Sequence, residues 1–282
     1  MPLKPFLTAL ILGPFLMLPP LTLWGQNPEA TPSPTEILYA EAINLMNQAD
    51  LDGALQKINE LLAKDPDNAP ALNIQGAVNV RKKNFDGAEA SFARILQKDP
   101  SNAIATFNSA EVSFLRKDYG KSRDTFRKFL QLPGNENNAL GRYKVFLCEL
   151  LGADPGSARK TVENLQPTIS NPFYYFAQAA VEFKEGRESK GRELIQSAFS
   201  IYPGGMNAAF ADSMVELGWV KKEEIASIGA IDASALNSMS QEFQPEKAAP
   251  APDPLSLESL LPNLTPGKKK EDSKTGTQPA QP

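Results

Sequence analysis

The tripeptide Lys64-Asp65-Pro66 returns as Lys98-Asp99-Pro100, 34 residues further along the chain. The same step carries Leu61-Leu62 onto Ile95-Leu96, Asp52-Gly53-Ala54 onto Asp86-Gly87-Ala88, and Ile58 onto Phe92. One more step lands on Ser122, Phe126 and Phe129-Leu130, with Pro133-Gly134 closing the unit. A repeat of this length restricts the fold more than any composition does. Each unit is too small to bury its own apolar face, so the chain must stack like units into one elongated core.

The interior of the unit predicts two helices of about 14 residues each, three to four turns apiece. A small residue midway along the first helix (Ala42, Gly76, Ala110) lets the second approach closely, and a second small residue (Ala54, Ala88, Ser122) does the same from the other side. Large apolar residues at three- and four-residue steps fill the rest: Leu38, Leu45, Ile58 and Leu61, then Leu72, Phe85, Phe92 and Ile95, then Tyr119, Phe126 and Phe129. Proline after the second helix ends it, because it cannot continue the hydrogen-bond ladder.

The small–large–small order, the 34-residue period and the closing proline resemble the tetratricopeptide repeat family. The family's usual tryptophan near the unit start is replaced by Leu38, Leu72 and Thr106. The resemblance implies an all-α, right-handed superhelical solenoid of helix-turn-helix repeats. Five units fit residues 35–203: clear ones at 35–67, 68–101 and 102–135, and divergent ones at 136–170 and 171–203. In the fourth, Pro155-Gly156 starts the second helix; in the fifth, Gly191, Ile195 and Ala198 occupy the repeat positions.

The flanks read differently. Residues 1–25 hold one lysine, an apolar stretch from Phe6 to about Leu18, and Gly25 near its end, a secretory signal peptide with cleavage after Gly25. The alternative is an uncleaved anchor, against which Pro14, Pro19 and Pro20 interrupt the stretch. Export to the periplasm or the medium follows from the first reading. Residues 26–34 form a linker, and 204–243 a capping helix over Met206–Val220 followed by short helices. From residue 244 to 282 proline, lysine and serine replace any apolar period, so a disordered tail is expected.

What is missing excludes whole classes of chemistry. The chain has no histidine, which removes Ser-His-Asp and Cys-His sites and most zinc and non-haem iron sites. One cysteine, Cys148, lies in the apolar run Tyr143–Leu151 and reads as a buried structural thiol. Gly204-Gly205 is a turn, not a phosphate-binding loop. A formal net charge of -4 offers no basic field for nucleic acid. The sequence therefore predicts no enzyme, no cofactor and no metal, and a protein or peptide as the partner.

In the resembled family the first helices line a concave groove that takes a peptide or a helix. By that resemblance the groove positions here are Tyr39, Ile43 and Asn47 in the first unit, and Asn73 and Arg81 in the second. The third contributes Phe107, Asn108 and Glu111, and the last Phe176. Asn73 and Arg81 are expected to face solvent, whereas Phe107, Phe114 and Phe176 have packing between neighbouring first helices as an equal alternative. Tyr39 and Ile43 stand where chaperone-binding members carry a carboxylate clamp, so that clamp is absent. The functional expectation is a binding scaffold of the cell envelope. Two alternatives stand beside it. One is self-association, with tail residues Leu255, Leu257, Leu260 and Leu261 docked in the groove; the other is a subunit that presents an envelope polymer to an enzyme.

Overall fold

The computed structural model describes residues 33–229 of the 282-residue chain, all within one compact unit. The expectations for residues 1–32 and 230–282, including the signal segment and the tail leucines, lie outside the described residues. The fold is an all-α solenoid. Its helices are α1 (Pro34–Asn47), α2 (Leu51–Lys64), α3 (Ala69–Arg81), α4 (Phe85–Lys98), α5 (Ala103–Leu115) and α6 (Tyr119–Gln131). They continue as α7 (Ala139–Cys148), α8 (Pro155–Asn164), α9 (Phe173–Lys184), α10 (Glu188–Ile201) and α11 (Gly204–Glu216), then α12 over 222–229.

Each unit starts and turns by the same local chemistry. Asn68, Asn102 and Asn138 cap the first helices by accepting the N–H of Ala71, Ala105 and Gly141. Asp50, Asn84, Asp118 and Asp154 cap the second helices in the same way. Between the two helices, one residue takes a positive φ: Ala49 (63°), Lys83 (58°) and Lys117 (63°), then Gly186 (77°) and Gly218 (72°). At each of these turns the positive-φ residue and its successor donate N–H groups back to the last turn of the first helix. In the second unit Lys83 N–H reaches the Val80 carbonyl and Asn84 N–H that of Asn79, both at 2.8 Å.

Gly218 makes the end of the chain's described part a sixth helix pair. The helix expected over 206–220 stops at Glu216 because Gly218 closes the same turn, its N–H bonding Val215 while Trp219 N–H bonds Met214. The fourth pair departs from the rest. α7 runs into a π-helical turn, Glu149–Ala153, before α8 begins at Pro155.

Packing follows the sequence of small and large residues. A Cβ on Gly76 would lie 2.4 Å from the Phe92 ring, so only glycine lets α3 and α4 close to this distance. Ala42, Ala54, Ala88 and Ala110 are wholly buried, and Ser122 bonds its hydroxyl to the Ala110 carbonyl at 2.9 Å. First helices also touch one another: α1 lies on α3, α3 on α5, and α7 on α9. Two apolar clusters result, one built by α1–α5 and one by α5–α12, and α5 supplies both, with Ala105 and Val112 in the first and Phe107, Ala110 and Phe114 in the second.

Candidate functional site

The two kinds of helix differ in what they show to the outside. The second helices are amphipathic and carry charge: α4 holds Asp86, Glu89, Arg94 and Lys98, and α6 holds five charged residues from Lys121 to Lys128. α3 and α5 hold one each, Arg81 and Glu111. Nine of the ten residues from Ala71 to Val80 are buried, as are Ala105 to Phe114 except Ser109. Helices apolar all round belong to an interior.

Polar rungs join successive first helices along this row. Arg81 on α3 donates to the Met46 carbonyl of α1 at 3.1 Å, at the helix C-terminus, where the peptide dipoles leave partial negative charge. Burial draws the Arg81 pKa below its usual value. Asn108 on α5 donates to Asn73 on α3 at 2.7 Å. Lys144 on α7 donates to Glu111 on α5 at 2.8 Å. Lys184 on α9 reaches the Leu150 carbonyl.

The third rung is part of a larger cluster. Lys144 also meets Glu216 of α11 at 3.5 Å, and its ammonium lies 4.9 Å from the centre of the Phe114 ring. Burial pushes the Glu111 carboxyl up to about 7; Lys144 opposes this, and Glu216 and Asp212 add to it. Asp212, one turn before Glu216, is also pushed up to about 7, by burial first and then by Glu216, against Lys144 and Lys222. Burial alone would lower Lys144, but Glu111 and Glu216 more than offset it and hold the ammonium above its usual range. Beside them α11 drives Phe210 between α7 and α9, its ring 5.1 Å from Tyr143 and 5.5 Å from Phe176.

Of the nine expected groove residues, three are reachable: Asn47 is exposed, and Ile43 and Arg81 are half-buried. Tyr39, Asn73, Phe107, Asn108, Glu111 and Phe176 are buried. Asn73 was expected to face solvent; it is 3% exposed, and its side-chain carbonyl accepts from Asn108 across the α3–α5 contact. Phe107 packs edge-on against Phe126 and Phe129 of α6, and Phe176 lies under Phe210. Phe176 thus packs between first helices, as the sequence allowed, whereas Phe107 packs on the second helix of its own unit. Sequence reasoning passed over Lys144, Asp212 and Glu216. The available signal was a lysine inside the apolar run Tyr143–Leu151, spaced from Glu111 by about one repeat.

Cys148 is fully buried with its thiol against the Ser122 hydroxyl at 3.3 Å; burial pushes it up to about 12, so it stays protonated at neutral pH and is a poor nucleophile. A separate groove of about 590 Å³ opens between α8 and α9, lined by Leu150, Arg159, Val162, Val181 and Lys184 among others. Among the described residues no helix is long and apolar enough to cross a membrane. In comparison with known proteins, the tetratricopeptide repeat family matches residues 39–103 and, overlapping, 80–136. No curated protein matches the chain.

Proposed function

We propose that this tetratricopeptide repeat protein is a protein-interaction scaffold of the cell envelope, exported by residues 1–25, that binds a peptide or helix along its row of first helices. Repeats of this family make protein-binding scaffolds; the partner surface and the compartment are the parts proposed. The supporting observation is the contrast between helices. α2, α4 and α6 present charge to solvent, while α3 and α5 carry a single charge each along a row two helices long. A surface so poor in charge is suited to an apolar or amphipathic segment rather than to nucleic acid or a polymer of charged groups. The reachable entry to it is at Ile43, Asn47 and Arg81.

One observation favours a second reading. Tyr39, Asn73 and Asn108 sit on that row and are already buried within the chain. A segment of the chain itself, with Leu255, Leu257, Leu260 and Leu261 as its apolar residues, would then occupy the row, and a foreign partner would compete with it. Light scattering and hydrogen exchange on the chain from residue 26 to 282, and on one ending at 244, separate the two. Deletion that raises exchange in α3 and α5, or lowers the number of chains per particle, establishes the tail as the occupant. Deletion that changes neither leaves the row to a foreign partner, to be captured from an envelope extract with Arg81→Ala as the control. Recovery of the protein from the cytoplasmic fraction alone overturns the envelope assignment.

A further inference from the structure

The buried charges that join α5, α7 and α11 are not explained by a peptide-binding row. Glu111, Asp212 and Glu216 are three carboxyl groups gathered around one ammonium, Lys144, so full ionisation would leave a net charge of -2 in the interior. Hydrogen bonds are missing as well. Glu111 Oε1, Asp212 Oδ1, Glu216 Oε1, Tyr143 OH and Ser213 Oγ are buried with no hydrogen-bond partner among the described residues. Buried polar atoms left in this way cost free energy, and buried unbalanced charge costs more. Two protons lessen both faults. With Glu111 and Asp212 neutral, one carboxyl group is left against Lys144, and each new carboxyl O–H supplies a donor where the carboxylate oxygens offered only acceptors.

We propose that α11, with the Gly218 turn and α12 behind it, is a pH-operated latch, closed on α5, α7 and α9 while Glu111 and Asp212 hold protons and released when both ionise. The latch closes on apolar surface. Phe210 and Met214 of α11 are buried, and their release uncovers Tyr143 and Phe176. The titratable and charged groups acting on the cluster are Glu111 from α5, Tyr143, Lys144 and Cys148 from α7, Asp212 and Glu216 from α11, and Lys222 from α12. Tyr143 is held well above its usual value by burial and then by Glu216, and Cys148 is raised by burial, so neither changes charge near neutrality. Lys144 keeps its proton throughout this range. Glu111 and Asp212 are the groups placed to switch.

Hydrogen exchange of the full chain at about pH 5.5 and about pH 8.5, corrected for intrinsic rates, reads the latch directly. One carboxyl moving from an ordinary pKa when open to about 7 when closed makes α11 open roughly 30-fold more often at the higher pH. Exchange in α3 and α4 stays level, and Glu111→Gln with Asp212→Asn removes the difference in α11. Equal protection of α11 at the two pH values overturns the proposal. So does a pH effect that α3 and α4 share in full, or one that survives in the double variant. If that variant fails to fold, the comparison of α11 with α4 in the wild-type chain decides alone.

Discussion

Lys144 Nζ stands 2.8 Å from Glu111 Oε2, with both side chains wholly buried. The pair ties the third repeat to the fourth, and Glu216 of α11 extends it to the last helix pair. Taking charges out of water is costly, and an ion pair recovers that cost only while both partners remain. Lys144→Met keeps most of the volume but strips the carboxyl cluster of its counter-charge. The variant is expected to lose about 3–5 kcal/mol at a pH of about 8. Near a pH of about 5, where the carboxyls take up protons instead, the loss shrinks. Urea denaturation at both values measures this, and an equal loss at both would assign Lys144 a packing role only.

The same cluster shapes the wild-type stability curve. Glu111 and Asp212 hold their protons to about 7 in the folded chain, against 4.5 and 3.8 for the free side chains. Between these values the folded state binds more protons than the unfolded one, so stability falls as pH rises, and it levels off once both are ionised. The upper bound for Glu111 alone is about 3 kcal/mol. Glu36, Asp99, Asp154 and Glu182 act the other way, since hydrogen bonds lower their pKa values and that stability is lost as pH falls. Asp99 is exposed and Glu36 and Asp154 are partly so, and screening keeps their effect small. Thermal melts are expected to peak on the acid side of neutrality, and Glu111→Gln to raise the melting temperature above pH 7 and flatten the fall. A wild-type melting temperature that rises from pH 6 to pH 8 would contradict this.

How much of this was legible depends on how far apart in the chain the partners lie. The 34-residue period placed α1–α6, because Gly76 against Phe92 and Ala110 against Ser122 are contacts inside one unit, repeated in the next. The caps Asn68 and Asn102, and Asp50, Asn84 and Asp118, follow the same period. The charged cluster was hidden for the opposite reason. Lys144 and Glu216 are 72 residues apart, and a repeat pattern describes what each unit does to its neighbour, not what the last does to one two units earlier. Glu111 was singled out for its register but assigned to a groove, since a carboxylate on a helix reads as solvated until its partner is known. The sixth pair was within reach: Gly186 and Gly218 lie 32 residues apart, close to the period, each just after an apolar helix.

The closeness of α3 and α4 yields a direct test of the repeat geometry. A methyl group at position 76 would sit 2.4 Å from a Phe92 ring that is itself fully buried. Gly76→Ala raises helix propensity, which favours stability by up to about 1 kcal/mol in an open helix. Here the overlap is expected to outweigh that gain and leave a net loss of about 1–3 kcal/mol. Phe92→Leu added to Gly76→Ala relieves the overlap, so the pair should lose less than the sum of the two single variants. Denaturation midpoints of the four chains measure the coupling, and strict additivity would show that the ring does not confine this glycine.

The turns offer the opposite case, where glycine is absent from a place that favours it. Lys83 and Lys117 take φ of 58° and 63°, while the equivalent residues of the fifth and sixth pairs are Gly186 and Gly218. A side chain with a Cβ in this left-handed region is strained by roughly 1–2 kcal/mol, and glycine avoids that strain at an entropic cost of about 0.5–1 kcal/mol in the unfolded chain. Lys83 contributes only its main chain to the turn, its N–H bonding Val80 beside the Asn84 N–H to Asn79, so substitution leaves these bonds intact. Lys83→Gly is therefore expected to stabilise the chain by about 0.5 kcal/mol, and Lys117→Gly by a similar amount. Gly186→Ala runs the exchange backwards and should cost about 1 kcal/mol. Denaturation midpoints that move the same way for Lys83→Gly and Gly186→Ala would mean that the two turns do not share one geometry.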